Sequence, residues 1–372
     1  MKKRSNQTLS FFTKLLLFIN GVVAIALLIS YLAPVVDPRK FWPVAFFGIA
    51  YPPLLLANVL FIAYWIIARV RFALISIVAI LLGWNALHNN VGFSFFGDGK
   101  SVSYAPGKIR VLTYNVHNFR KGGLAFDDTT RHGILNIMRT TKPDVIGIQE
   151  YFSRKKGSYA MRDSINDILG TTYDLIGKGS ESETEIIGLA IFSRYPIVNK
   201  GSVEIAEPSS GVQCIYADIK KDGKIIRYYC IHLQSFLFEQ EDYSYIDTIK
   251  ASGKADISST KRLGAKLKRA FLKRADQVLK VKEHASTCPY PYIIAGDFND
   301  TPSSFAVNQM AKGIKNSFRE KGFGLGRTYN GDFPNYQIDY IMAGNQFNVL
   351  DYNIIKQKLS DHYPVCADLI LR

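Results

Sequence analysis

Ile294-Ala295-Gly296-Asp297-Phe298-Asn299-Asp300-Thr301 is where an apolar run turns polar. The run from Tyr292 to Ala295 reads as a buried strand, and a glycine closes it. Asp297 and Asn299 follow two positions apart. In an extended chain, positions i and i+2 share a side, so the carboxylate and the amide are expected to point together beyond the strand end. A carboxylate can take a proton or hold a metal, and an amide can orient a water or a phosphate oxygen. Asp and Asn are also turn formers. The stretch alone leaves both readings open.

Working outward, the same punctuation recurs. The β-rich run from Ile109 ends in Thr113-Tyr114-Asn115-Val116-His117. A helical stripe of Ile134, Leu135, Ile137 and Met138 follows, then a buried strand from Val145 that ends in Gln149-Glu150. This β–α–β spacing suggests neighbouring strands whose ends deliver Asn115 and Glu150 to one edge. Residues 213–219 and 224–232 form a hairpin pattern around Lys221-Asp222-Gly223, and its second arm leads into His232. Beyond the opening stretch come Ile338-Asp339-Tyr340 and Ser360-Asp361-His362. Singly, each has a bland reading: a surface Glu, a core His, a turn. Together they place Asn, Glu, His, Asp-x-Asn, Asp and Asp-His beside successive strands. That choice suits a hard cation and a phosphate.

The first ninety residues are a different material. They hold eight of the 46 Lys and Arg residues but one of the 31 acids, Asp37, so +7 of the net +15 lies there. Residues 15–32, 41–68 and 72–87 are apolar and uncharged. The first two are long enough to span a bilayer, and the third can do so by borrowing its flank. About three transmembrane helices are expected, with a kink at Tyr51-Pro52-Pro53. The two later apolar segments argue against a cleaved signal peptide. Lys2, Lys3, Arg4, Lys14, Arg69 and Arg71 fall on one side, with Arg39, Lys40 and Lys100 on the other. The basic-side rule then places the N-terminus in the cytoplasm of an inner-membrane protein and the large domain outside it. The expected division is an anchor over 1–90, a Gly/Ser-rich linker over 91–107 and one α/β domain over 108–372.

Taken in order, the motifs at Asn115, Glu150, His232, Asp297-Phe298-Asn299, Asp339 and Asp361-His362 resemble the endonuclease/exonuclease/phosphatase superfamily. The resemblance covers about 109–371 and implies a four-layer α/β sandwich, two mixed β-sheets flanked by helices. It implies a metal-dependent phosphoric ester hydrolase that uses Mg²⁺, with Mn²⁺ as an alternative. Glu150 would bind the metal, with Asn115 and Asp361 beside it. Asp297 would align and deprotonate the attacking water, and Asn299 would hold water or phosphate. His362 would contact the scissile phosphate with its tautomer fixed by Asp339. His232 would be a second imidazole at the phosphate. Two departures stand out. His117 occupies a position where abasic-site endonucleases carry Asp, and Phe298 stands where inositol phosphatases carry Trp.

A nuclease-like phosphodiesterase, with nucleic acid as substrate and the bilayer as second partner, is the leading expectation. A phosphatase or sphingomyelinase-like lipid hydrolase is the alternative. A silent binding domain is the third, and the complete residue set argues against it. Residues 236–269 exceed what such a core needs. They begin aromatic and acidic and end basic, as a lid, a nucleic-acid grip or a surface helix would. Cys214 and Cys230 flank the hairpin turn symmetrically, so a cross-strand disulfide competes with two buried free thiols.

Overall fold

The computed structural model describes residues 9–94, 107–122, 125–207, 211–331 and 335–372. Lys2, Lys3, Arg4, Lys100 and most of the expected linker lie outside these residues. The chain divides into two compact units, one over Met1–Asn90 with Ser303–Phe305, the other over Val91–Pro302 and Ala306–Arg372.

The first unit is helical. Helix α1 (Phe11–Ser30) starts at Ser10, whose hydroxyl caps Thr13 N–H. Helix α2 (Tyr51–Arg69) carries prolines in its first turn. This corrects the expected kink. Pro52 and Pro53 begin a helix, where a missing N–H costs nothing, instead of bending one. The segment before them forms short helices at Pro38–Phe41 and Pro43–Ile49. Helix α3 (Ala73–Leu82) stops at Gly83. A second piece, Trp84–Asn90, leaves at a 70° bend. A Cβ at Gly83 would lie 2.0 Å from the Tyr31 ring, so a larger residue at the bend would have to displace that ring. Among the described residues, two helices are long and apolar enough to cross a membrane, three if the bent pair is one span. Asn20 ties all three together: its amide donates to Ser76 Oγ at 2.7 Å and its oxygen accepts from Trp65 Nε1 at 2.9 Å. Apolar residues such as Ile67, 89% exposed, face outward, as lipid-facing positions do.

The second unit contains two six-stranded sheets. In chain order the strands are β1 (Lys108–Asn115), β2 (Val145–Arg154), β3 (Tyr173–Glu181), β4 (Glu185–Ser193), β5 (Ile197–Ser202), β6 (Cys214–Lys221), β7 (Lys224–His232), β8 (Tyr292–Asp297), β9 (Ile314–Asn316), β10 (Asp339–Gly344), β11 (Phe347–Ile354) and β12 (Val365–Leu371). One sheet runs β11-β12-β1-β2-β4-β3, the other β9-β10-β8-β7-β6-β5. Each contains one parallel pair, β1–β2 and β7–β8, among antiparallel neighbours. Both sheets are therefore mixed, as expected.

Alternation along the strands builds the layers. Ile109 and Val111 face the inter-sheet core, with Tyr228, Cys230, Ile293, Ala295 and Ile341 opposite. Leu112 and Tyr114 face the other way, onto α4 (Asp128–Thr141) and α5 (Met161–Leu169). The far face of the second sheet packs on Val278, Val281 and Ala285 of a long helix. That helix, α7 (Ile257–Ser286), is preceded by α6 (Gln240–Ser252). The expected hairpin turn is present: Asp222 and Gly223 both take positive φ, 50° and 78°, as a two-residue hairpin loop requires. Cys214 packs among the helix-side residues and Cys230 among the inter-sheet ones, so they sit on opposite faces. Both are buried free thiols.

Candidate active site

Three site residues form one row across the second sheet. In the strand register His232 pairs with Asp297, and Asp297 pairs with Asp339. The row forms because β7 and β8 run parallel to a common end while β10 starts there. Gly296 makes the close approach possible. Its φ is +148°, and a Cβ there would lie 2.0 Å from the Ile231 carbonyl oxygen.

The first sheet supplies the facing groups. Asn115 closes β1 and is fully buried. Its amide nitrogen donates to Glu150 Oε1 and to Asp297 Oδ2, both at 3.1 Å, so one side chain bridges the two sheets. Glu150 does not end its strand, as the sequence reading has it. The strand runs on to Arg154, and Glu150 occupies a bulge between Ile148 and Tyr151 with φ +50°. A bulge re-aims a side chain that regular alternation would bury or splay.

Asp297 is buried, and Asn299 departs from the shared-face expectation. The strand stops at Asp297, and Asn299 takes φ +52°. Asp297 Oδ1 accepts the Asn299 backbone N–H at 2.8 Å, a side-chain-closed turn. The Asn299 amide donates to the Leu233 carbonyl at 2.9 Å. Thus the pair forms the turn, and both residues also line one cavity.

His362 is buried and faces the row. Its Nδ1 lies 2.9 Å from Asp339 Oδ2, and its Nε2 lies 3.7 Å from Asp297 Oδ2. His232 Nε2 approaches Asp297 Oδ2 at 3.5 Å and Glu150 Oε1 at 4.0 Å. Asp361 turns toward His117, whose Nδ1 is 3.1 Å from Asp361 Oδ1.

Burial and charge tune these groups against one another. Burial pushes the Asp297 carboxyl up, with His362 and His232 pulling it partly back. Burial opposes charge on His362, but Asp339 and Asp297 outweigh it and hold the imidazole well above its ordinary range. Burial would also raise Asp361, yet His117 and His362 bring it down to about 2. The contact with Asp361 raises His117.

A cavity of about 300 Å³ opens over Glu150, His232, Asp297, Asn299, Asp361 and His362. Its opposite wall is Phe236, Leu237, Phe238 and Tyr243, from the start of the insertion. No Lys or Arg lines it among the described residues. A larger cavity elsewhere, about 460 Å³, is lined by Arg162, Lys178 and other cations. These are paired with Asp174 and Glu181, and none of the site residues reaches it.

Two residues that hold the site escape motif reading. Arg274 on α7 is fully buried and donates to the carbonyls of Gln234 (3.3 Å) and Asn299, with Nε 3.1 Å from Asp300 Oδ2. It ties the loops after His232 and Asp297 to one helix. The signal was an arginine inside the stripe Ala270, Phe271, Ala275, Val278, where a charge is expected only when paired. Thr328 Oγ1 accepts the N–H groups of Ile338 and Asp339 at 2.9 and 3.0 Å, and no local signal marks it.

Residues 112–362 match the family model described as the Endonuclease/Exonuclease/phosphatase family. The chain belongs to that family. Its members are hydrolytic phosphoesterases that generally use divalent metal ions, and the chain is a phosphoesterase of this kind. A second model, described as a domain of unknown function, matches residues 13–90. No curated protein sequence matches the chain. Among solved structures, the endonuclease/exonuclease/phosphatase of Bacteroides vulgatus is similar at 18% identity and TM-score 0.52, covering 71% of this chain and 99% of its own. That of Beutenbergia cavernae DSM 12333 gives 20% and 0.51, covering 71% and 72%. Humanized TDP2 of D. rerio gives 15% and 0.50, covering 71% and 99%. At these identities the likeness shows the fold, which the endonuclease/exonuclease/phosphatase family shares.

Proposed function

We propose that the chain is a membrane-anchored, Mg²⁺-dependent phosphodiesterase, with an anchor over 1–90, a linker over 91–107 and the catalytic domain over 108–372. The observation that carries the chemistry is the convergence of Glu150 and Asp297 on the one amide of Asn115. Two carboxylates at one donor, in a cleft without Lys or Arg among the described residues, fit a hard divalent cation. Glu150 would hold that ion, with Asn115 and Asp361 beside it. When bound, it supplies charge neutralisation to the phosphate oxygens.

The remaining steps belong to the protein's own groups. Asp297 aligns the attacking water and takes its proton, and its burial raises its basicity for that task. The backbone N–H of Asn299 holds Asp297 Oδ1, so Oδ2 faces the cleft. Asp339 accepts from His362 Nδ1 and directs Nε2 at the phosphate. His362, kept cationic by its carboxylates, stabilises the developing negative charge. His232, on the strand beside Asp297, presents its Nε2 as a second imidazole at the phosphate.

The anchor reading is supported by the apolar helices, and from the basic flanks we infer a catalytic domain on the extracytoplasmic face of the inner membrane. A nuclease-like action is the first form of the proposal and a lipid-phosphoester hydrolase the second. The test is a substrate panel on the full chain with Mg²⁺, with Mn²⁺ and with chelator: plasmid DNA, RNA, inositol phosphates, sphingomyelin and a generic phosphodiester. Hydrolysis that is lost with chelator and restored by the metal is expected. Hydrolysis indifferent to chelator would overturn the metal assignment.

A further inference from the structure

The wall opposite the carboxylates has no part in the chemistry just described. Phe236 and Phe238 stack on each other with centroids 5.2 Å apart and planes 16° apart. The Arg274 guanidinium lies over the Phe236 ring at 4.5 Å, and Tyr243 meets Phe238 edge-on at 5.8 Å. The aromatic faces are thus engaged with one another. A nucleobase needs a free face on which to stack, and a pair 5.2 Å apart leaves no slot for one. Between them Leu237 is 62% exposed. It is held at φ +53°, a conformation that costs a branched residue free energy. An apolar side chain kept in a strained, exposed position beside a cleft points to a role in binding.

Charge leads the same way. A polynucleotide is gripped through its phosphates by Lys and Arg. The cavity lining has neither among the described residues. Two cations at the basic end of the insertion are engaged by its acidic beginning: Arg262 pairs with Asp242 and Glu241, and Lys266 with Asp242 and Glu239.

We propose that Phe236, Leu237, Phe238 and Tyr243 form a subsite for the hydrocarbon part of an amphiphilic phosphodiester, so that the substrate class is a lipid phosphodiester. This rests on the phosphodiesterase reading of the same cleft. The phosphate sits over Glu150, Asp297 and His362, and the aliphatic chain lies along the aromatic edges and Leu237. Water attacks phosphorus, the ester P–O bond breaks, and the leaving oxygen takes a proton.

The test uses the full chain in nanodiscs with Mg²⁺ and soluble p-nitrophenyl alkyl phosphodiesters of increasing alkyl length, with plasmid DNA and RNA as competitors. In the wild type, kcat/KM is expected to rise with each added methylene, by up to about threefold for each one buried. In Leu237→Ser and Phe238→Ser that slope should flatten, while both variants keep measurable turnover of the shortest ester. The variants share the wild type's membrane, so partitioning of the esters cancels in the comparison. A flat wild-type slope, an unchanged slope in both variants, or inhibition by DNA or RNA at lower concentration than by the longest ester would overturn the subsite. In each of these cases turnover of the esters keeps the phosphodiesterase reading intact. Absence of turnover of every ester would sink that reading and the subsite with it.

Discussion

At the residue scale, the site depends on who holds each carboxylate. Asp297→Ala removes the proton acceptor, and kcat should fall by about 10²–10⁴-fold with the fold retained. His362→Ala should do likewise, with circular dichroism unchanged. Undiminished turnover in either variant would refute the roles given to them. Asp339→Asn keeps the shape but not the charge that sets the His362 tautomer, and a loss of about 10²-fold is expected in kcat with little change in KM. Gly296→Ala tests the backbone. Its Cβ would strike the Ile231 carbonyl at 2.0 Å. Thermal unfolding should report a loss of about 2–4 kcal/mol. Much at this scale was legible in the sequence, because metal and phosphate chemistry restricts the residue types allowed. What was not legible was conformation. Nothing in Gln149-Glu150-Tyr151 announces a bulge, since two strands must pair before one can be seen to carry an extra residue. Asn299 reaches the same cavity as Asp297 through a turn and not through strand alternation, which holds only while the strand lasts.

At the element scale, local chemistry fixed some boundaries and tertiary packing fixed others. Asp222-Gly223 announced its turn, since a hairpin loop needs only its neighbours. The paired prolines misled, because a proline that breaks a helix and one that starts it look alike until the first turn is located. The insertion was equally ambiguous. Its acidic start and basic end suggested a partner, and part of that charge is met within the insertion, where Arg262 and Lys266 of α7 pair with acids at the start of α6. Arg274 is the clearest case of an element serving the site. Replacing it with Ala leaves buried carbonyls and Asp300 without their cation, and a cost of about 3–5 kcal/mol is expected. The cluster of Arg110 and Lys108 with Asp368 offers a pH readout. Burial raises the Asp368 carboxyl, but the two cations outweigh it and hold it below the usual range. A depressed folded value stabilises the fold above the ordinary carboxyl pKa of about 3.9 and is lost as pH falls through the lower folded value. Asp368→Asn should therefore lower Tm at neutral pH, and its gap from wild type should close as the medium is acidified below that range. A gap that persists at low pH would show that the pair acts through packing alone.

At the scale of the whole molecule, the proposed anchor would set where the chemistry occurs. A reporter fused after Arg372 should behave as exported, and activity of a cytoplasm-restricted reporter at that position would reverse the proposed orientation. The order of the strands carries a further consequence. The first sheet is made from residues 108–193 and 347–371, and the second from the stretch between. Asn115 and Glu150 come from the one, His232, Asp297 and Asp339 from the other, and His362 follows them all. No N-terminal fragment short of His362 contains the full set, and neither sheet alone can assemble it. During synthesis, then, the hydrolase remains mute. The growing chain is an inert ribbon, and it gathers its reactive groups only when the two halves of its sandwich meet.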